Sequence, residues 1–346
     1  MSPYIMSVLL SSLSFGTIIT LSSNHWFLAW VGLELNTLAI IPLMSEMHHP
    51  RATEATTKYF LTQSMASALL LFATTLNALY TGEWTIMNMQ TAAPMVMLTI
   101  ALMIKLAVAP FHLWLPDVIQ GQSLMTWLIM LTWQKLAPLA LLIQISPEVN
   151  SMLIVSMGIL SLMVGGWGGL NQPHMRKIMA FSSIAHLGWM IIVVPYLPSL
   201  TQLSLLVYLL MTSSLLMTMM ALQTTTMNKM ASSWMKNPPL FSMMMIVLMS
   251  LGGLPPMSGF LPKWMILDEL IKQNMIPLAV LAISLTLLTL FFYLRLSYTT
   301  SLTTSPSPLS SKLMWRPKLS LSPTIPLLMI TSIMLLPISP SIVSLM

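Results

Sequence analysis

Apolar residues run through this chain in long unbroken blocks. Eleven blocks stand out, at roughly 3–22, 25–44, 57–80, 95–112, 122–145, 149–169, 174–196, 199–224, 238–271, 275–297 and 323–345. A helix needs about 20 apolar residues to cross a bilayer, so the pattern predicts about eleven spans. The ninth block is too long for one straight helix, and Pro255-Pro256 is expected to break it. The longest polar connections are 45–56, 225–237 and 298–322, and the last, rich in Ser, Thr and Pro, reads as an extended surface loop. No stretch is long and polar enough for an extramembrane domain. The expected architecture is an all-α, polytopic membrane protein with residues 1–346 as a single membrane domain.

Composition agrees. Only 6% of residues are charged and 56% are hydrophobic, against about 25% charged in soluble domains. The net charge of +6 does not indicate nucleic acid, because the cations are scattered singly at the ends of apolar blocks and form no basic stripe. Three lysines fall within spans. Ten of the other eleven basic residues lie at even-numbered connections: Arg51, Lys58, Arg176, Lys177, Lys229, Lys236, Arg295, Lys312, Arg316 and Lys318. Lys272 alone lies at an odd one. By the positive-inside rule the even connections and the N-terminus face the inner compartment, and the C-terminus faces the opposite side. Trp26, Trp84, Trp114, Trp234 and Trp315 fall near span ends, where an aromatic belt is expected. The chain has no cysteine, which excludes disulfides, thiolate zinc sites and cysteine-held iron–sulfur clusters within it.

Two irregular elements hint at a repeat. Span four ends in Ala109-Pro110-Phe111-His112, and span nine is interrupted at Gly252-Gly253-Leu254-Pro255-Pro256. They are five spans apart, and an odd offset inverts orientation. The pattern therefore predicts an inverted repeat with two interrupted helices, in approximate halves 1–145 and 149–298, followed by a C-terminal helix at 323–345. Interrupted helices in two halves mark the ion sites of transporters.

Four ionisable residues sit inside apolar blocks: Glu34, Lys105, Lys135 and Lys263. Each costs roughly 2.5–3.5 kcal/mol at a helix centre, so a role is expected of them. Burial disfavours the charged form and a nearby opposite charge restores it, so a lysine whose acidic neighbour changes can load and release a proton. The competing readings are a structural Glu34–Lys105 ion pair and, for Lys135, an ammonium that snorkels to a headgroup region. His112 and His186 are weaker candidates, either proton relays or packing residues. His48-His49, near Glu46 and Glu54, is either a metal site or a solvated loop. Ser182-Ser183 would bond channel water or the preceding turn. Gly165-Gly166-Trp167-Gly168-Gly169 suits close helix packing and has the wrong spacing for a dinucleotide or phosphate loop.

Four stretches are more specific. They are His49-Pro50-Arg51-Ala52-Thr53-Glu54-Ala55-Thr56-Thr57-Lys58-Tyr59-Phe60-Leu61-Thr62-Gln63, Lys105-Leu106-Ala107-Val108-Ala109-Pro110-Phe111-His112-Leu113-Trp114, Ser182-Ser183-Ile184-Ala185-His186-Leu187-Gly188, and Gly252-Gly253-Leu254-Pro255-Pro256-Met257-Ser258-Gly259-Phe260. With the buried charges they resemble the antiporter-like membrane subunits of respiratory complex I, over nearly the whole chain. The resemblance implies a Glu34–Lys105 pair on separate helices, a central lysine at Lys135, and a lysine at the second broken helix, Lys263. Together they would line a proton path midway across the membrane, with His112 and His186 where polar linkers are expected.

The resemblance also implies a core subunit of a complex that oxidises NADH, reduces ubiquinone and pumps protons outward. NADH, FMN, iron–sulfur clusters and ubiquinone are then bound in the complex as a whole, with no cofactor in this chain. The implied partners are the other subunits, including neighbouring antiporter-like ones, together with membrane lipids. The implied location is the mitochondrial inner membrane with the N-terminus in the matrix and the C-terminus in the intermembrane space. The 36 methionines fit a genetic code with an extra Met codon, and Met1 to Ser23 lacks the arginines of a transit peptide. Longer bacterial relatives carry three further N-terminal spans. The alternatives are a free-standing cation/proton antiporter and a purely structural scaffold.

Overall fold

A computed structural model of the chain describes residues 2–45, 49–89, 91–303 and 323–344. Glu46, His48, Lys312, Trp315, Arg316 and Lys318, and most of the expected loop at 298–322, lie outside the described residues. Among the described residues the secondary structure is helical, with two isolated backbone bridges. Eight helices are long and apolar enough to span a membrane, and Ala92–Leu106, Pro238–Gly252 and Thr324–Pro337 are shorter apolar helices. Two units are compact, Met1–Ser161 and Leu162–Met346.

The first unit contains α1 (Pro3–Ser22), α2 (Trp26–Ser45), α3 (Pro50–Thr81), α4 (Ala92–Leu106), α5 (Trp114–Gly121), α6 (Leu124–Leu131), α7 (Leu136–Ile145) and most of α8 (Ser151–Gly168). Helices α1 and α2 meet through glycine: a Cβ on Gly32 would lie 2.8 Å from the Gly16 carbonyl oxygen. Helix α3 begins at Pro50, seven residues before the expected start of its span. Proline at the first helical position loses no hydrogen bond, and the His49 side chain caps the helix by accepting from Arg51 N at 3.2 Å. His49 is thus a helix cap. Among the described residues no cluster of His, Asp and Glu could hold a metal.

Two further departures have a proline as their cause. Span four ends at Leu106, where Ala107 turns left-handed with φ 59°, and the stretch after the break, read as a connection, is helix α5. The expected straight span at 122–145 is divided by a 3-10 turn at Trp133–Lys135. Pro138 has no N–H to offer the Gln134 carbonyl, so the helix is interrupted one turn upstream.

The second unit holds the end of α8, α9 (Met175–Val193), α10 (Pro198–Leu222), α11 (Met227–Ser233), α12 (Pro238–Gly252), α13 (Phe260–Lys272), α14 (Ile276–Leu302) and α15 (Thr324–Ser344). Helix α10 packs on α9, α12, α13 and α15. The connection at 225–237 contains the short helix α11, and α14 continues five residues beyond its expected end. The Gly165-to-Gly169 run does seat helices closely. A Cβ on Gly165 would lie 2.7 Å from Ala185 N, and one on Gly168 would collide with the Phe181 ring at 2.3 Å.

The two units share a local plan. In the first, His25 bridges Thr85; in the second, His174 bridges Thr226. Seven residues separate α4 from α5, and seven separate α12 from α13. Sliding one break onto the other superposes left-handed Ala107 on left-handed Gly253. The same shift places Pro110 on Pro256, Leu115 on Leu261, and Pro116 on Pro262.

Candidate functional site

Lys105 lies in the last turn of α4, next to the break. Trp114, the first residue of α5, donates its indole N–H to the Ile104 carbonyl at 3.2 Å and so satisfies an acceptor freed by the interruption. Lys135 sits in the 3-10 turn between α6 and α7. Both side chains are nearly inaccessible, Lys105 at 7% and Lys135 at 5%. A lysine buried to this degree is not snorkelling to an interface. Together they line a cavity of about 20 Å³, room for about one water. Asn36, Thr37, Tyr59, Gln63 and Gln134 complete its polar wall.

Lys105 Nζ has no hydrogen-bond partner among the described residues, and neither does the buried Oε2 of Glu34. No ion pair within 4.0 Å joins them among the described residues. Glu34 does not line the cavity. Gly32, which precedes it by two residues, is occupied in packing against α1. His112 lies within the break, its Nδ1 buried and without a hydrogen-bond partner among the described residues, and it too is not a lining residue.

In the second unit Lys263 lies after its break, in the first turn of α13. Its half-buried ammonium donates to the Gly252 carbonyl at 2.8 Å, the negative end of α12. Each interruption is therefore capped from its downstream half-helix, by Trp114 in one case and Lys263 in the other. Superposing the breaks puts Lys263 opposite Asp117, not Lys105. Lys263 and His186 line two small cavities of about 20 and 10 Å³. The His186 ring lies 5.5 Å from the ring of Tyr208. Ser182 and Ser183 donate to the preceding turn, to the carbonyls of Met179 and Ala180. Of the tryptophans expected at the membrane surface, Trp26 and Trp114 are buried, at 1% and 9% exposure, and Trp234 is 42% exposed. Trp315 lies outside the described residues.

Residues 23–289 match the family described as NADH:quinone oxidoreductase/Mrp antiporter, TM, and residues 290–343 match NADH dehydrogenase subunit 2 C-terminus. NADH-ubiquinone oxidoreductase chain 2 of Salmo salar is 53% identical over 348 residues, which cover 100% of this chain and 99% of the relative. The chain belongs to the NADH-ubiquinone oxidoreductase chain 2 family. It is thus an antiporter-like, multi-pass inner-membrane subunit of complex I and works with the other subunits of that enzyme. A chain of respiratory complex I from Thermus thermophilus superposes with a TM-score of 0.83 at 26% identity, over 96% of this chain and 78% of that one. A chain of the Mrp complex from Dietzia shares the fold alone, with a TM-score of 0.76 at 20% identity over 83% of this chain and 59% of that one.

Complex I carries its redox groups as a whole. Of the cavity-lining residues, Tyr59 and Gln63 stood in a specific stretch without a role of their own, and Gln134 and Tyr208 were not singled out in the sequence. They are uncharged, and only the third dimension shows which uncharged polar side chains turn toward a lysine.

Proposed function

We propose that this subunit carries protons across the inner membrane through Glu34, Lys105 and Lys135 in the first unit and Lys263 in the second. His112 and His186 serve as relays, and the driving electron transfer takes place in other subunits. The observation that carries this reading is the Lys105–Lys135 cavity, where two ammonium-bearing side chains are sequestered with polar neighbours and room for water. Two buried like charges repel strongly at low dielectric, so protonation of one opposes protonation of the other. A proton held this way is ready to move on. Glu34, offset from the cavity, tunes that balance electrostatically without fixing Lys105 in an ion pair.

The test is Lys105→Met in the assembled complex, at the equivalent position of a genetically tractable relative where necessary. Quinone reduction coupled to pumping should fall by about a hundredfold or more, the range lost when a positioned proton-transfer group is removed. Glu34→Gln should slow turnover less and leave assembly intact. An assembled Lys105→Met complex that reduces quinone and pumps at the normal rate overturns the reading.

We also propose that the N-terminus faces the matrix and the C-terminus the intermembrane space, on the ten-to-one distribution of basic residues. The absence of native cysteine makes this testable by site-directed labelling. An impermeant thiol reagent should reach Lys229→Cys only from the matrix and Glu83→Cys only from the other side. The reverse pattern would invert the topology.

A further inference from the structure

Helix α3 carries a polar stripe on its buried face. Thr56, Tyr59, Gln63 and Ser67 follow one another at helical spacings of three and four residues, the interval that stacks side chains on one face. All four are buried, at 8%, 2%, 4% and 5% exposure. Packing alone does not call for polar groups there, because apolar side chains seal a membrane helix without leaving polar atoms to satisfy. The Thr56 and Ser67 hydroxyls donate to the carbonyls of Thr53 and Ser64; beyond buried Leu70 the same face carries Thr74 and Asn77, and there the amide is closed by hydrogen bonds. Asn77 donates to the Asn88 carbonyl at 3.3 Å and accepts from Thr91 Oγ1 at 3.1 Å.

The other end is open and charged. Lys58 bridges Glu54 at 2.8 Å and Asp117 at 3.1 Å, and these three side chains are 42%, 61% and 52% exposed. Lys58 precedes Tyr59 in sequence and Asp117 belongs to α5, so one pair of helices holds both the exposed cluster and the cavity wall. Tyr59 and Gln63 from α3 and Trp114 and Leu115 from α5 line the Lys105–Lys135 cavity, with the Tyr59 and Trp114 rings in edge contact at 5.8 Å.

We infer that the Thr56–Tyr59–Gln63 face of α3 is the access route by which protons pass between the Glu54–Lys58–Asp117 surface and the Lys105–Lys135 cavity. This rests on the proton-carrying role proposed above for the two lysines. The step is proton exchange alone: a water or hydroxyl on the route accepts one proton and passes one on, and no other bond changes. Lys58 and its two carboxylates form the exchanging surface. The Tyr59 hydroxyl and Gln63 amide are positioning groups that hold water on the route.

The test compares Tyr59→Phe and Gln63→Met with Gln63→His, which keeps a hydrogen-bonding side chain, and with Thr74→Val, on the same face beyond the cavity. All are measured in the assembled complex beside Lys105→Met. Tyr59→Phe and Gln63→Met are expected to slow coupled quinone reduction by about tenfold and to raise its solvent deuterium isotope effect. Gln63→His should recover most of the rate, and Thr74→Val should match the parent. If Lys105→Met is inactive while Tyr59→Phe and Gln63→Met run at the normal rate, the route is wrong and the role of the lysines stands. If both are slow with an unchanged isotope effect, or Gln63→His is as slow as Gln63→Met, they act through packing and the inference is likewise overturned. A fully active Lys105→Met removes the underlying role itself.

Discussion

Lys135→Met is expected to give an assembled complex whose quinone reduction and proton pumping fall together by about a hundredfold or more. Methionine has a similar length and packs flexibly in an apolar setting, so the helix interruption and its surroundings should persist. What disappears is the buried ammonium to which the proposed function gives the proton. Lys135 is 5% exposed and lies in the 3-10 turn imposed by Pro138. Carrying one charge across the full membrane potential involves about 2.3 kcal/mol per 100 mV. A group partway across must therefore take and release its proton without trapping it. When this exchange stops, tight coupling halts electron transfer as well. Lys135→Arg should also be impaired, because arginine stays protonated under conditions where lysine can release its proton. A packing lysine would give the opposite order, with arginine tolerated and methionine defective in assembly rather than turnover. Full activity of the assembled methionine variant would end the assignment.

Gly253→Ala should disturb both the backbone of the second break and the Lys263 contact. Gly253 has φ 83°, a left-handed conformation that costs a residue with a Cβ about 1–2 kcal/mol. The added carbon would also lie 2.6 Å from Lys263 Nζ. The flexible ammonium can retreat, but only by giving up its 2.8 Å bond to the Gly252 carbonyl. The expected result is a complex that assembles with reduced thermal stability and turns over slowly. The turnover defect acts through Lys263, so the double variant Gly253→Ala/Lys263→Met should be no slower than Lys263→Met alone. Residues that share one interaction are non-additive in this way. Additive losses would show that the glycine acts through the backbone alone, independently of Lys263.

Much of this protein is legible along the chain because lipid is a demanding solvent. A backbone in hydrocarbon must bond to itself, which leaves helices as the local solution, and the apolar blocks accordingly locate the spans to within a few residues at most ends. Charge is equally legible. Glu34, Lys105, Lys135 and Lys263 stand out because an ion in an apolar block is expensive wherever its side chain points. Two of the helix breaks are marked by proline, at Pro110 and at Pro255-Pro256, although Pro42 sits inside the continuous α2.

Side-chain direction and distance between helices depend on packing and were settled only by the tertiary structure. It placed Lys105 and Lys135 on one cavity and left Glu34 outside it, beyond ion-pair range of Lys105. It made Lys263 the cap of α12 and gave the matching duty in the other break to Trp114, a residue whose sequence position suggested the membrane surface. It also turned the polar face of α3 toward the two lysines. The sequence by itself determined that the chain is a bundle of membrane helices and which charges are out of place. Which of those charges share a cavity depends on how the helices rotate and cross, which local hydrophobicity does not encode.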